Sequence, residues 1–153
     1  MDEIDRKILD VLQVDATLPV ATIAERVGLS AAPCWRRIRR LEESGVITRR
    51  VALVDRRKVN VPITVFVAVK APRHTAEWSA SFRRTVDDFP EIVGAWRLTG
   101  EIDYLLRIVV PDIETYDTVY QRLTARLEFS NLSASIAMEE MKYTTAVPTI
   151  YMA

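Results

Sequence analysis

Arginine is concentrated in one short stretch of the sequence, and its spacing there suggests a specific chemistry. Residues 36–40 read RRIRR, and a second pair, Arg49 and Arg50, follows shortly after. A guanidinium presents a rigid fork of N–H donors that fits a phosphate or the O6 and N7 edge of guanine. Residues 36–58 contain nine basic and three acidic residues, an excess typical of a nucleic-acid-binding face. An amphipathic helix with a solvated basic face would show the same charge run.

The residues around these arginines predict two helices joined by a tight turn. Residues 20–27 carry apolar side chains at helical spacing, and Gly28 can adopt the positive φ of a helix end. Ser30 stands where a side-chain oxygen would cap the next helix, and Pro33 falls in its first turn. This turn chemistry favours a helix-turn-helix whose second helix enters the DNA major groove.

The second helix directs its N-terminal part at base edges, as recognition helices do. We therefore expect base contacts near its start and phosphate contacts further along and beyond it. The expected base contacts are Ser30, Ala32, Pro33 and Arg36, and the expected phosphate contacts are Arg37, Arg40, Arg49 and Arg50. Trp35 adjoins the apolar stripe of the helix, so we assign it to packing. Double-stranded DNA is the predicted partner.

The flanking residues predict the supports of this helix pair. Residues 2–14 predict a first helix that backs the pair and touches no base. Residues 46–54 alternate apolar and polar residues, which predicts a wing hairpin or strand. We place a winged helix-turn-helix domain at residues 1–50 and a linker strand at residues 51–61.

Residues 62–153 predict a second domain of the α+β class. Its pattern is β-α-β-β-α-β, the ferredoxin-like arrangement of an antiparallel sheet with both helices on one face. The predicted strands are 63–71, 92–99, 103–110 and 131–147, and the predicted helices are 76–89 and 113–127. The first strand is apolar on both faces, which implies that the helix-free face pairs with a second copy of the chain.

Composition limits the remaining classes of function. The chain has 153 residues and a formal net charge of zero, with one histidine and one cysteine. No metal-ligand cluster, nucleophile motif or phosphate loop is present, so we expect no enzyme activity, no metal and no cofactor. A lone cysteine agrees with a reducing cytoplasm. The N-terminus does not resemble a signal peptide, and no apolar run suits a membrane helix.

Three motifs together resemble one family. They are the opening IDRKIL, the run LS-xx-PCWRRIRRLEESGVI, and Gly100-x-x-Asp103-Tyr104 between two central strands. Over nearly the whole chain the sequence resembles the Lrp/AsnC regulators of bacteria and archaea. The resemblance implies a winged helix-turn-helix, a linker strand and a ferredoxin-like (RAM-type) regulatory domain. It also implies homodimers that pair through their sheets, often assembled to tetramers or octamers, with a small amino-acid effector bound between dimers.

The resemblance also implies which residues bind the effector. Gly100, Asp103 and Tyr104 match the family's motif, and Ser133 and Ser135 on the last strand would line the other side. A glycine lets a ligand carboxylate approach backbone N–H groups, and a carboxylate such as Asp103 can pair with an α-ammonium. The residues alone leave open a plain hairpin in which Asp103 caps the turn.

Two other classes of protein share parts of this pattern. An architectural DNA-wrapping protein without a ligand would show the same DNA-binding features. Some haem-pathway enzymes are similar to this family in fold, although their chemistry needs acid–base groups in a cleft. The single histidine, His74, falls in a predicted polar loop. The sequence therefore favours a DNA-binding regulator over both alternatives.

Overall fold

The computed structural model describes residues 1–152, which form two compact units. The first unit contains residues 1–53 and 141–152, and the second contains residues 54–140. The helices of the described residues are α1 (Glu3–Val14), α2 (Val20–Val27), α3 (Ala31–Glu43), α4 (Ala76–Asp87) and α5 (Ile113–Arg126). The strands are β1 (Ile63–Lys70), β2 (Ile92–Arg97), β3 (Tyr104–Val110) and β4 (Asn131–Ile136). None of these helices is long and apolar enough to cross a membrane.

The first unit is a three-helix core formed by α1, α2 and α3. A reciprocal capping box between Asp2 and Asp5 starts α1, and Gly28 ends α2 with a φ of 74°. The buried side chains of this core are Ile8, Leu9, Ile23, Ala24, Val27, Cys34, Ile38 and Leu41. Burial raises the pKa of the Cys34 thiol, which fits a packing role for this residue. The helix-turn-helix geometry predicted from the sequence is therefore present.

The C-terminal residues also belong to the first unit. The Thr149 hydroxyl donates to Asp10 Oδ1 at 2.6 Å, and the side chain of Gln13 exchanges two hydrogen bonds with the backbone of Val147. The predicted second domain ran to residue 153, whereas the compact sheet unit ends at Glu140. Residues 141–152 thus support α1.

The second unit is a four-stranded antiparallel sheet with strand order β2-β3-β1-β4. Its core joins the inward side chains of β1 and β3 to residues of both α4 and α5, so the two helices cover the same face. The predicted β-α-β-β-α-β order and ferredoxin-like fold are confirmed. On the helix-free face Phe66 and Trp96 remain exposed. Trp96 lies over Gly94, where a Cβ would clash with the indole ring.

Three strand predictions were wrong. Residues 46–54 form no strand, the linker at residues 51–61 forms none either, and the last strand ends at Ile136 rather than at residue 147. β4 pairs with β1 from Lys70 back to Val65, and one further hydrogen bond runs from the Ala137 N–H to the Thr64 carbonyl. β1 begins at Ile63, so later residues of the chain have no partner strand there. Sequence alternation alone does not extend a strand beyond its partner.

Candidate functional site

α3 divides its side chains between a buried stripe and an exposed stripe. Cys34, Ile38 and Leu41 are buried against α1 and α2. The exposed stripe runs along the opposite side at the i, i+3, i+4 and i+7 positions expected for one helix face. Its members are Ala32, Trp35, Arg36 and Arg39.

Trp35 lies in this exposed stripe, so its assignment to packing was wrong. The residue is 53% exposed. Adjacent helical residues differ in direction by about 100°, so a neighbour of the buried Cys34 is turned out of the core. The guanidinium carbon of Arg39 lies 5.9 Å from the centre of the Trp35 ring, within range of a cation–π contact. Trp35, Arg36 and Arg39 therefore form one exposed basic and aromatic surface.

Arg37 and Arg40 lie on the flank of α3, where both bind an acidic residue of α1. Arg37 Nη1 donates to Asp5 Oδ1 at 2.8 Å and to Asp2 Oδ2 at 2.7 Å. Arg40 Nη2 donates to Asp5 Oδ2 at 2.7 Å. The Asp5 side chain is fully buried, whereas the Arg40 side chain is 61% exposed. These pairs occupy donors that the sequence had assigned to phosphate.

The ion pairs also shift the pKa values of Arg37 and Asp2. Hydrogen bonds from Asp5 and then from Asp2 raise the pKa of the Arg37 guanidinium. The backbone N–H of Asp5, followed by the Arg37 guanidinium, lowers the pKa of Asp2. Both shifts favour the charged forms of Arg37 and Asp2. This cluster was not predicted, because its acidic and basic members lie more than thirty positions apart in the chain.

The residues around the start of α3 are placed as predicted, apart from one hydrogen bond. Ser30 occupies the N-cap position, but its side chain makes no capping bond, so that expectation was wrong. The Ser30 carbonyl accepts from the Cys34 N–H at 3.3 Å. Ser30 is exposed and Pro33 is half-buried, with Pro33 in the first turn as expected.

The two arginines that follow α3 differ. Arg49 is exposed. Arg50 Nη2 donates to Glu42 Oε1 at 3.0 Å, and Arg50 Nη1 donates to the Ala16 carbonyl at 3.4 Å. Arg50 therefore links the segment after α3 to α3 itself, while Arg49 keeps its side chain in solvent.

The loop before β3 is built around Gly100 and Asp103. Gly100 has a φ of 108°, a conformation that favours glycine. Asp103 Oδ2 accepts from the Ala71 N–H at 2.8 Å, and the Asp103 N–H donates to the Val69 carbonyl at 2.9 Å. Nε2 of His74 lies 3.7 Å from Asp103 Oδ1. Asp103 thus ties the loop to the end of β1, and its other carboxylate oxygen lies beside the histidine.

The remaining predicted effector residues are divided between the two faces of the sheet. The Tyr104 ring packs 4.5 Å from that of Phe82, and its hydroxyl lies 3.3 Å from Ser79 Oγ, on the helix-covered face. Ser133 and Ser135 are exposed opposite Ala68 and Phe66, on the helix-free face. One chain therefore does not bring the predicted effector residues together. Their ligand-binding role stays a prediction.

Between α4 and β2 the second unit has an open cavity of about 290 Å³, bordered by Tyr104, Arg83 and Arg97 among others. Among residues 1–152, no group of three His, Cys, Asp or Glu side chains is placed to hold a metal ion.

A helix-turn-helix joined in one chain to a ferredoxin-like sheet unit defines a class of two-domain proteins. Residues 1–42 match the model of the AsnC-type helix-turn-helix domain, and residues 64–147 match that of the Lrp/AsnC ligand binding domain. The chain therefore belongs to the Lrp/AsnC family, as the resemblance had indicated.

Relatives match this chain along its whole length. The DNA-binding transcriptional activator DecR of Escherichia coli is 44% identical over 149 residues, which cover 97% of this chain and 98% of that protein. The crystal structure of an AsnC family transcriptional regulator from Agrobacterium tumefaciens is 53% identical, covers 100% of both chains and gives a TM-score of 0.97. The transcriptional regulator NMB0573 of Neisseria meningitidis, solved as a complex with L-Met, is 32% identical, with a TM-score of 0.95 and coverage of 100% and 99%.

Proposed function

We propose that this chain is a sequence-specific DNA-binding transcriptional regulator whose recognition helix is α3. The observation that carries the proposal is the exposed stripe of α3, where Trp35, Arg36 and Arg39 lie side by side. The similarity of the chain to DecR, a DNA-binding transcriptional activator, supports the same function. DNA binding of this kind takes place in the cytoplasm of a bacterial or archaeal cell.

Each residue of the stripe has a role that follows from its chemistry. Arg36 lies in the N-terminal half of α3 and can donate both arms of its guanidinium to the O6 and N7 atoms of one guanine. Trp35 presents an apolar ring edge suited to a thymine methyl group. Arg39 is held near that ring and extends the positive surface along the helix. Ser30, Ala32 and Pro33 border the base edges, while Arg49 is the phosphate contact after the helix.

The test of this function is selection of a binding site from a library of randomised DNA duplexes. We expect one enriched sequence, bound at least roughly a thousandfold more tightly than random duplex at physiological salt. Equal affinity for the selected and random duplexes would contradict sequence-specific recognition and leave only architectural binding.

We also propose that the sheet unit binds a small amino acid, which modulates DNA binding. The matched ligand-binding domain supports this, as does the L-Met complex of a 32% identical regulator. Gly100 offers backbone N–H groups to a carboxylate, and Asp103 offers its oxygen to an α-ammonium. Because the sheet separates Tyr104 from Ser133 and Ser135, we place the cleft between copies of the chain.

The helix-free sheet face supplies the surface for that assembly. Phe66 and Trp96 are exposed on this face, and large apolar side chains of this kind suit a symmetric contact between two copies. We propose a homodimer that pairs its sheets and assembles further to a tetramer or octamer. Sedimentation of wild-type protein and of Trp96→Glu tests the surface. The variant should sediment as a smaller species, whereas an unchanged assembly would contradict this use of the face.

Thermal melting in the presence of each of the twenty amino acids tests the effector. A ligand present at 100 times its Kd stabilises the native state by about 2.7 kcal/mol, which raises the melting temperature measurably. A shift with one amino acid, or with a few related ones, identifies the class of effector. No shift with any amino acid would contradict the effector proposal and favour a ligand-independent architectural protein.

A further inference from the structure

Asp5 is a buried carboxylate whose partners lie mainly on the proposed recognition helix. Its two oxygens accept from Arg37 Nη1 at 2.8 Å and from Arg40 Nη2 at 2.7 Å. Oδ2 also accepts from the Asp2 backbone N–H at 3.2 Å. The Asp5 side chain is 0% exposed, so this single residue of α1 is committed to α3 and to its own helix end.

The apolar contacts of α3 come from one narrow stripe, formed by its buried residues Cys34, Ile38 and Leu41. Two directional hydrogen bonds on one flank, a turn apart, add to this packing a constraint on the rotation of α3 about its axis, because each has a preferred distance and angle. The exposed stripe of α3 turns with the helix, so its aim depends on these bonds.

We infer that Asp5 is a positioning residue for DNA recognition. It fixes the rotation of α3 through Arg37 and Arg40, and so aims Trp35, Arg36 and Arg39 at the bases. This inference rests on the proposed DNA-binding function and adds to it a residue that itself touches no DNA.

The two arginines then differ in what remains for DNA. Arg37 binds both Asp2 and Asp5, and its side chain is only 27% exposed, so it serves only in these two ion pairs. Arg40 gives one nitrogen to Asp5 and is 61% exposed, which leaves other N–H donors turned toward solvent. Arg40 is therefore a phosphate contact that Asp5 orients in advance, whereas Arg37 contacts no phosphate.

For a substitution of Asp5, loss of its charge and loss of its positioning role change DNA affinity in opposite directions. Asp5→Asn removes a negative charge beside a basic surface, and electrostatics alone would tighten binding to any DNA. Loss of positioning weakens binding to the selected sequence only. A variant that becomes more basic and yet loses affinity for its selected site would be difficult to explain by charge.

The experiment measures the affinity of wild type, Asp5→Asn and Asp10→Asn for the selected and random duplexes over a series of salt concentrations. Asp10 is the matched control, since it lies on the same α1 and its side chain binds Thr149 rather than α3. Circular dichroism, melting curves and stoichiometric titration give the folded and active fraction of each protein.

We expect Asp5→Asn to weaken binding to the selected duplex roughly tenfold or more, the scale of one lost base contact. Its affinity for random duplex should be unchanged or higher. Asp10→Asn should leave the preference for the selected duplex unchanged. If Asp5→Asn tightens both affinities, or weakens both equally, the positioning role is wrong.

Two further variants test the roles of Arg37 and Arg40 even if Asp5→Asn does not fold. Arg40→Gln should reduce the slope of log affinity against log salt by about one, because one phosphate contact is lost. Arg37→Gln should weaken the selected site and leave that slope unchanged. A slope reduced by Arg37→Gln would show that Arg37 contacts phosphate and would contradict its assignment to positioning α3. A wild type with no preferred sequence would instead contradict the proposed function.

Discussion

Helix α3 and the loop that contains Gly100 use their polar side chains differently. In α3 two arginines bind Asp5, yet Arg36 and Arg39 remain exposed on another face of the same helix. In the loop, Asp103 is tied to Ala71, and the next residue points its side chain into the helix-covered core. The helix presents a complete surface within one chain, whereas the loop presents only part of the proposed effector site.

The difference follows from the two backbone geometries. A helix distributes neighbouring residues around its axis, so the same arginine-rich sequence supplies both a structural flank and a ligand-facing stripe. A strand sends successive side chains to opposite faces, so residues that lie on opposite faces of one sheet do not share a site. Copies of the chain can reunite the faces of a sheet, and this is why we place the effector between copies.

The largest effect is expected from truncating Tyr104. Tyr104→Ala should lower the free energy of unfolding by about 3 kcal/mol, because its ring packs on Phe82 and Trp78. Tyr104→Phe should lower it by less than about 1 kcal/mol, since only the 3.3 Å contact of the hydroxyl with Ser79 is lost. Urea unfolding measures both. If Tyr104→Phe keeps its stability but loses an amino-acid-dependent thermal shift, the Tyr104 hydroxyl contacts the effector. Tyr104 would then serve the ligand as well as the core, and the proposed difference between the loop and α3 would be wrong.

The next effect concerns the exposed stripe of α3. Arg36→Ala should cost about 1–3 kcal/mol of binding free energy at the selected site, because a bidentate contact to guanine is lost. Binding to random duplex should fall much less, and Arg83→Ala on α4 serves as a control that leaves both affinities unchanged. Fluorescence anisotropy measures these affinities. An equal loss on both duplexes would mean that Arg36 contacts phosphate rather than a base.

The fold followed from the sequence where local periodicity decides structure. The turn at Gly28 and the strand and helix order after residue 62 were predicted, because hydrophobic spacing and turn residues act locally. The end of β4 was missed because it depends on where β1 begins. The exposure of Trp35 was missed although the 100° step from Cys34 implies it. The pairing of Asp5 with α3 was missed because it depends on the angle at which two helices pack. Such contacts leave no spacing signal in one sequence.

A smaller effect separates the two roles available to Asp103. Asp103→Ala should cost about 1–2 kcal/mol of stability, because the partly buried N–H of Ala71 loses its acceptor. Asp103→Asn keeps an acceptor oxygen and should retain most of that stability. Thermal melting of Asp103→Asn with the effector found for wild type then shows what the Asp103 charge contributes to effector binding. Loss of the shift in Asp103→Asn would confirm pairing with an α-ammonium, and a retained shift would leave Asp103 as a loop cap only.

The smallest effect compares two helix caps, Asp2 on α1 and Asp112 on α5. The Asp5 N–H and then Arg37 lower the pKa of Asp2, and the Thr115 N–H lowers that of Asp112. A lowered pKa in the folded state adds stability above the ordinary aspartate value of about 3.9, and this stability is lost as the pH falls through the folded value. Asp2→Asn and Asp112→Asn should therefore both flatten the acid side of the curve of stability against pH.

Salt distinguishes the two caps at neutral pH. Asparagine caps helices about as well as aspartate, so each substitution mainly removes a charge. Asp2 also pairs with Arg37 at 2.7 Å, whereas Asp112 caps through the Thr115 N–H. Added salt screens exposed charge pairs, so the loss of melting temperature in Asp2→Asn should shrink more between low and high salt than that in Asp112→Asn. Equal salt dependence would mean that the ion pair of Arg37 with Asp2 adds no stability, so that only the ion pair with Asp5 would join Arg37 to α1.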